Sequence, residues 1–186
     1  GVKIVDLSAD YRLRDPRTYE AWYGHHHTDA GNLSKAVYGL PELFRRQIAG
    51  ADLVANPGCY PTCTILSLAP LVKAGLVEGK VIVDAKSGTS GAGQEPSRST
   101  HHPNCAVSVA PYKVGTHRHT PEIKEVLDGL TGKDIDVIFT PHLLPIVRGM
   151  LTTSYATLTD GVTQEDVAMA YRSAYDDERF VHIASV

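Results

Sequence analysis

Features that mark several other classes of protein are scarce or absent in this sequence. With only 3 cysteines in 186 residues, a disulfide-held secreted domain is not expected, and a reducing compartment, the cytoplasm or a eukaryotic organelle, is favoured. The apolar runs, such as ILSLAPLV at 65–72, are too short to span a bilayer. The 18 basic and 21 acidic residues give a net charge of -3 without any run of Lys and Arg. Membrane and nucleic-acid partners are therefore not expected.

Other absences limit the architecture. The sequence has no internal repeat, no low-complexity segment, no signal peptide and no evident linker, so a single domain is the natural expectation. No Gly-rich turn of the dinucleotide-binding type joins a strand to a helix. The chain opens directly on a strand-forming run, GVKIVDLSAD, without an initiator methionine. We interpret this opening as the inside of a larger folded unit.

The pattern of apolar residues predicts an α+β fold. Stretches that alternate or are rich in β-branched residues predict strands at 3–7, 52–56, 80–86, 106–110, 135–140, 151–158 and 180–184. Proline in the first turn marks three helix starts, after Asp15, Leu40 and Thr120. The residues from Thr163 to Asp166 resemble a capping box that opens a helix ending near 176. Because strand-helix-strand units mix with consecutive strands, we expect a mixed sheet covered by helices.

The stretch LVANPGCYPTCTILSL places Cys59 where a predicted buried strand passes through a turn into an apolar helix. At a helix N-terminus, free N–H groups and the helix dipole favour a thiolate and can lower a cysteine pKa below its free value of about 8.5. Gly58 before it lets a substrate or cofactor approach closely. Cys59 is therefore a candidate nucleophile, and the alternative is a small buried core residue. For Cys63 and Cys105 the structural interpretation is favoured.

Two histidines flank an arginine directly before the helix that begins near Thr120. His117, Arg118 and His119 bring two imidazoles and a fixed cation to the N–H groups of a helix start. This arrangement suits an anion site with a proton-transfer group beside it, and a basic loop without function is the alternative. The GHHH run at 24–27 is interpreted as a solvated loop, because three consecutive side chains cannot all face one metal ion.

A third feature is the stretch SGTSGAG at 87–93, which follows a predicted strand. Successive glycines and hydroxyl residues can expose backbone N–H groups that cradle phosphate. A mobile loop is the alternative interpretation of the same composition.

Six stretches, in this order, resemble the N-acetyl-gamma-glutamyl-phosphate reductase family of arginine biosynthesis: VDLSADYRLRD, YGLPEL, ANPGCYPT, KSGTSGAG, YKVGTHRHTPEI and FTPHLLPIVRGMLTT. The resemblance implies that residues 1–186 form a catalytic and dimerisation domain like the C-terminal domain of glyceraldehyde-3-phosphate dehydrogenase. It further implies a homo-oligomer, a dimer or a tetramer. The NADP-binding Rossmann domain and a last segment would lie outside this sequence, so the chain alone is expected to be inactive.

The resemblance also implies a chemistry, the NADPH-dependent reduction of N-acetyl-γ-glutamyl phosphate to the semialdehyde and phosphate. Cys59 would form a thioester with the acyl group, and either His117 or His119 would be the acid-base group. Glu122 could orient that imidazole. The substrate-binding candidates are Ser8, Arg12, Arg118, Glu122 and Arg148. The cofactor-binding candidates are Ser87, Gly88, Thr89, Ser90 and Gly91, and no metal is implied.

Three alternative functions stay open at this point. One is an acyl-phosphate reductase of the aspartate-semialdehyde dehydrogenase type. The second is a Cys-His hydrolase, which would cleave activated esters without a nicotinamide cofactor. The third is an inactive dimerisation module, for which substitution of Cys59 would change no measurable property.

Overall fold

The strands form two separate sheets in the structure, a computed structural model that describes residues 1–184. The strands are β1 (Ile4–Asp6), β2 (Val37–Tyr38), β3 (Leu53–Ala55), β4 (Val77–Ser87), β5 (Ala110–Pro111), β6 (Asp136–Leu143) and β7 (Met150–Leu158). The helices are α1 (Pro16–Tyr23), α2 (Pro41–Gly50), α3 (Cys59–Lys73), α4 (His102–Cys105), α5 (His119–Thr131) and α6 (Gln164–Tyr175). Short 3-10 helices cover Ala30–Lys35 and Thr89–Ala92.

The larger sheet is mixed and has the strand order β5-β6-β4-β7. Its central strand β4 runs parallel to β6 and antiparallel to β7. Alternate residues of β4, Val81, Val83 and Ala85, are fully buried, as the period of two in a strand requires when one face is covered. They share the main core with Ile123 and Leu127 of α5. The expected mixed sheet covered by helices is therefore confirmed.

The smaller sheet consists of three parallel strands in the order β1-β3-β2. Its central strand β3 leads through the turn 56–58 directly into α3. The sequence analysis did not predict β2, because two residues are too few to show a periodicity. This sheet matters for the site because it fixes the turn before Cys59 and the segment that carries Arg12.

Helix α3 continues through Pro70, although proline inside a helix commonly kinks or ends it. Proline has no N–H, so the carbonyl of Leu66, four residues earlier, lacks its usual helical partner. The hydroxyl of Tyr175 donates to that carbonyl at 2.7 Å. The hydroxyl of Tyr171 donates to the neighbouring carbonyl of Ser67 at 2.5 Å. Helix α6 therefore packs on α3 partly by satisfying backbone groups around the proline.

Two of the predicted strands are wrong. Over 106–110 only the last residue is in a strand, and 106–109 are bends and irregular backbone that follow the one-turn helix α4, which has a proline in its first turn. Over 180–184 the backbone has a turn and then no regular structure, because this alternating stretch pairs with no strand in the described part of the chain. The three proline-marked helix starts and the capping box of α6 are confirmed.

Within residues 1–184, no helix combines the length and the apolar character that crossing a membrane requires.

Candidate active site

Cys59 is the first residue of α3, and Gly58 before it has the extended backbone of a helix N-cap. The predicted position of the cysteine at a helix start is therefore confirmed. Its side chain lines a large cavity of about 990 Å³, which also contains Tyr60, His117 and His119 in its wall. The turn that leaves β3 and the start of α5 thus bring the cysteine and both predicted histidines to one space.

Burial raises the pKa of the Cys59 thiol above its ordinary value, although the sulfur reaches solvent through the cavity. Its own N–H and that of Tyr60 lower the pKa, as expected at a helix start, and the Arg12 cation contributes in the same direction. The nearby Glu122 carboxylate opposes them. The expectation of a lowered pKa is therefore wrong for the free protein, because desolvation outweighs the helix terminus.

We expect the pH dependence of Cys59 alkylation to show this directly. In the folded protein the midpoint should lie above the free-thiol value of about 8.5, since the thiolate is poorly solvated. Peptide mass spectrometry after iodoacetamide treatment over a pH series measures the rate at this residue alone. A midpoint well below the free-thiol value would show that the helix N-terminus dominates.

The two imidazoles are neutral at pH 7. Burial, with a smaller contribution from Lys113, lowers the pKa of His117 to about 4. Burial and the neighbouring His117 lower the pKa of His119 to about 3. The Nδ1 atom of His117 accepts the backbone N–H of His119 at 3.1 Å, so its proton is on Nε2. The acceptor nitrogen of His117 is therefore already used, whereas the imidazole of His119 neither donates nor accepts a hydrogen bond within residues 1–184.

His119 packs closely against Gly58, the residue before the cysteine. A Cβ atom on Gly58 would lie 2.5 Å from Nε2 of His119, a distance that real contacts do not reach. The Nδ1 atom of His119 is buried and has no hydrogen-bond partner among residues 1–184. The Nε2 edge of His119 is therefore the one held beside the cysteine turn, and only glycine at 58 permits this contact.

Gly58→Ala is expected to displace the His119 ring and to cost about 1–3 kcal/mol of stability through overpacking. The φ angle of -65° at this residue suits alanine, so the effect would come from the contact alone. Activity of the intact protein should fall about 100-fold, as is typical of a misplaced catalytic pair. Gly129→Ala, in α5 with no atom within 4 Å of its Cβ, is the matched control and should keep full activity. Equal activities of the two variants would contradict the contact argument.

Glu122 is a buried junction and does not orient an imidazole. Its side chain is 1% exposed, and Oε1 accepts the N–H of Gly58 at 2.8 Å and the hydroxyl of Tyr38 at 2.8 Å. Its Oε2 lies 3.5 Å from Nη1 of Arg12. Burial raises the pKa of Glu122, while Arg12 and the hydrogen bonds lower it. The carboxylate therefore links α5, the cysteine turn and the smaller sheet, and it is absent from the cavity wall.

The arginines and the serine predicted to bind substrate divide into those that line the large cavity and those that do not. Arg12 and Arg118 line the large cavity, the first anchored by Nε on the Asn56 carbonyl at 2.8 Å. Ser8 and Arg148 do not line it. The hydroxyl of Ser8 donates to the Asp6 carboxylate at 2.8 Å, and Arg148 is exposed on the loop between β6 and β7. The structure thus brings two of the four cation and hydroxyl candidates to the cysteine.

The backbone N–H groups predicted to cradle phosphate already have partners. Gly88, Thr89 and Ser90 donate to carbonyls of the β6–β7 loop at 2.9–3.0 Å. A Cβ on Gly88 would lie 2.8 Å from the carbonyl oxygen of Val147, so glycine is required for this contact. Ser87, Gly88, Ser90 and Gly91 nevertheless line a small cavity of about 190 Å³ that includes Cys59. Thr89 is outside both cavity walls.

The sequence analysis missed several residues of the cavity wall. Cys105, interpreted as structural, lies in this wall, whereas Cys63 contacts Thr152 in the packing of α3 on β7. The wall also includes residues 97–100, from a loop with no distinctive pattern, together with Asn104 of α4 and Lys113. Lys113 belongs to the stretch that carries both histidines, and its proximity to them in sequence was the available signal. No group of three metal-ligating side chains is found within 1–184.

The fold and the sequence define the class of protein. Residues 59–186 match the family model described as "Semialdehyde dehydrogenase, dimerisation domain", and the chain belongs to this family. The aspartate semialdehyde dehydrogenase II of Vibrio cholerae superposes with a TM-score of 0.59 at 16% identity, over 74% of this chain and 48% of its own. At this identity the likeness concerns the fold alone, and it confirms the expected α+β class.

Much more similar relatives carry one name, N-acetyl-gamma-glutamyl-phosphate reductase. The protein of Moorella thermoacetica is 51% identical over 98% of this chain and 53% of its own length. Those of Methanococcus maripaludis and Dehalococcoides mccartyi are also 51% identical, over 98% and 100% of this chain. The family resemblance is therefore confirmed, and the chain spans about half the length of these relatives.

Proposed function

We propose that the intact protein reduces N-acetyl-γ-glutamyl phosphate to N-acetyl-glutamate semialdehyde, with release of phosphate. The observation that carries this proposal is the composition of the large cavity. A cysteine at a helix start faces two neutral imidazoles, and the wall contains four cationic side chains and, among residues 1–184, no carboxylate. Such a space suits a small anionic acyl donor that reacts with a thiol. The name shared by the relatives supplies the particular substrate.

In the proposed acylation the thiol of Cys59 first transfers its proton to a neutral imidazole. We assign this step to Nε2 of His119, because that edge is held against the glycine beside the cysteine. His117 is a positioning residue, because its Nδ1 fixes the backbone of His119 and several aromatic rings surround its ring. The sulfur then attacks the acyl carbon, phosphate leaves, and a thioester remains on Cys59.

The second half of the reaction would need a nicotinamide cofactor, and we propose NADP. The small cavity fits a flat ring, because the glycine backbones at 88, 91 and 149 line it directly beside Cys59. A Cβ at Gly149 would meet no atom within 4 Å, so the space there is open. When bound, the cofactor supplies hydride for reduction of the acyl group. Ser87, Gly88, Ser90 and Gly91 would hold the ring by contact, since the N–H groups at 88 and 90 are already used.

The experiment that tests the proposed function compares substrates in the intact protein. Wild-type protein should oxidise NADPH with N-acetyl-γ-glutamyl phosphate and release one phosphate per turnover. Aspartyl phosphate should be a much poorer substrate. Preference for aspartyl phosphate would favour the aspartate-semialdehyde type, and cleavage of an activated ester without cofactor, in place of reduction, would favour a hydrolase.

We further propose that the outer face of the larger sheet binds a second copy of the chain. Ile82, Ile138 and Tyr155 lie side by side on this face and are 43%, 41% and 58% exposed, and Leu151 follows along β7. An apolar patch of this kind on an uncovered sheet is typical of a protein interface. The family model is itself described as a dimerisation domain.

Tyr155→Arg is expected to break this assembly, because it places a charge in the centre of an apolar interface. Sedimentation velocity should show a dimer or tetramer for the wild type and a smaller species for the variant. Met169→Arg, which changes an exposed apolar residue of α6, is the control and should leave the wild-type species unchanged. The proposal would be wrong if Tyr155→Arg sedimented like the wild type.

We also propose how the chain divides into domains. The sequence analysis predicted one catalytic and dimerisation domain over 1–186, but the family match begins at 59 and leaves the parallel sheet outside it. In β1 of this sheet, Ile4 and Val5 face opposite sides and are both exposed. We propose that 59–186 are the catalytic and dimerisation domain and that the parallel sheet belongs to the nucleotide-binding part of the intact protein.

We also propose a cytoplasmic location, with which the three free cysteines agree.

A further inference from the structure

The wall of the large cavity has a charge opposite to that of the chain as a whole. Its charged side chains are Arg12, Arg98, Lys113 and Arg118. No Asp or Glu lies in the wall, although the chain has a net charge of -3. The cavity is therefore a local concentration of positive charge, which attracts anionic ligands.

These cations are not equally free to bind a ligand. Arg12 is paired with Glu122, at 3.5 Å, and Arg118 lies over the ring of Tyr23 with 5.0 Å between its Cζ atom and the ring centroid. Lys113 forms no ion pair and donates no hydrogen bond to any residue in 1–184. A cation beside a cavity without a protein partner is available for an anionic group of a ligand.

The backbone of Lys113 is in a conformation that lysine rarely adopts. With φ at 46°, it is the one non-glycine residue of positive φ in the described part of the chain. The conformation is fixed on both sides, because Tyr112 donates its N–H to Pro141 at 3.0 Å and Thr116 donates to the Lys113 carbonyl at 3.0 Å. A left-handed conformation is strained for a residue with a Cβ atom, and glycine would avoid this strain. A strained residue that is not glycine indicates that its side chain has a use.

The charge of Lys113 also acts on both catalytic candidates among the histidines. It lowers the pKa of His117 and, more weakly than other causes, that of His119. Lys113 therefore lies in the same cavity wall as His117, His119 and Cys59, and its charge acts most strongly on His117.

We propose that Lys113 is a substrate-binding residue whose ammonium group binds an anionic oxygen group of the substrate, a phosphate or a carboxylate, beside Cys59 and the two imidazoles. The proposal rests on the proposed function for the identity of the substrate. In the acylation step, the sulfur forms a bond to the acyl carbon as the bond from that carbon to the phosphate oxygen breaks. The bonding electron pair leaves with phosphate, which takes up the thiol proton through the imidazole. Lys113 contributes charge to this step and exchanges no atom.

The test uses the protection of Cys59 from iodoacetamide in the intact protein, with orthophosphate and N-acetylglutamate as separate probes. Lys113→Met keeps the side-chain length without the charge, and it should need about 10 to 100 times more of one probe for half-protection. The probe that loses affinity identifies the bound group as phosphate or carboxylate. Lys113→Arg should protect nearly as the wild type does. Lys73→Met, at the end of α3 and outside the cavity, should equal the wild type.

Folding of each variant is checked by urea unfolding. Lys113→Gly gives a second test that does not depend on the fold of Lys113→Met, because it removes the charge and also relieves the strained φ. It should unfold at higher urea than Lys113→Met and lose the same protection. Protection of both variants at wild-type concentrations, or no protection of the wild type by either probe at any soluble concentration, would overturn the proposal.

The two proposals can fail separately. If the wild type reduces the acyl phosphate while Lys113→Met has unchanged KM and protection, the role of Lys113 is wrong and the function stands. If Lys113→Met loses protection but the wild type reduces neither acyl phosphate, the anion site stands and the proposed function is wrong.

Discussion

Cys59→Ser is expected to lower kcat/KM for the acyl phosphate by at least about 1,000-fold in the intact protein, because the proposed thioester cannot form. Serine is a weaker acid than the thiol, and the neighbouring imidazoles have pKa values of about 4 and 3, so they are poor bases for a hydroxyl. Steady-state NADPH oxidation measures the loss. Titration of the variant with substrate, followed by the NMR signals of His117 and His119, should show that the cavity still binds the substrate.

Cys63→Ser is the matched control for this substitution. It lies one turn further along the same helix, and its sulfur is 3.2 Å from Oγ1 of Thr152, a contact that a serine hydroxyl can also make. Its activity should stay within about twofold of the wild type, as for most substitutions away from a site. If Cys59→Ser and Cys63→Ser were both fully active, the chain would be better explained as a dimerisation module.

Local signals predicted the elements that carry the site. Proline in the first turn located three helices, and the turn ANPGC located the start of the helix that presents Cys59. These signals succeed because a helix start depends on a few adjacent residues and on backbone groups that any helix leaves free. The strand predicted at 180–184 is wrong because a strand also needs a neighbour, which its own sequence does not specify.

The properties of the site residues depended on distant parts of the chain. The sequence predicted a lowered pKa for Cys59 from its helix, but the walls of the cavity, which come from several elements, determine the desolvation that raises it. The N–H groups at 88–90 looked free in sequence and are bonded to a loop almost 60 residues later. Tertiary contacts of this kind leave no local pattern.

Glu122 is the clearest example of a residue whose contacts could not be predicted from the sequence. A glutamate in the first turn of a helix is ordinary, and its three partners are far apart in sequence. Gly58, Tyr38 and Arg12 all meet its carboxylate. Glu122→Ala should therefore destabilise the protein by about 3–5 kcal/mol, since it leaves the Arg12 guanidinium without its ion-pair partner and the buried Gly58 N–H without an acceptor. Urea unfolding measures this cost.

Two substitutions at Glu122 should separate its role in holding Arg12 from its role in holding the turn before Cys59. Glu122→Gln keeps an oxygen that can accept from Gly58 and Tyr38 but removes the charge that holds Arg12, so KM should rise while kcat changes little. Glu122→Ala also releases the turn before Cys59, and kcat should fall by about 100-fold as the sulfur and His119 lose their alignment. A purely structural glutamate would lower stability in both variants without this division between KM and kcat.

Glu125→Gln is the control that decides between these interpretations. Glu125 lies one turn further along α5, and burial raises its pKa as it does that of Glu122. Its carboxylate also holds a distant backbone group, the N–H of Arg14, at 3.0 Å, but it has no hydrogen bond to the cysteine turn and no ion pair with Arg12 within residues 1–184. The control should therefore lose stability and keep wild-type kcat and KM. Because the two glutamates share their helix and their link to the same N-terminal segment, a difference in kinetics between them would point to the contacts that only Glu122 makes, with the cysteine turn, Tyr38 and Arg12.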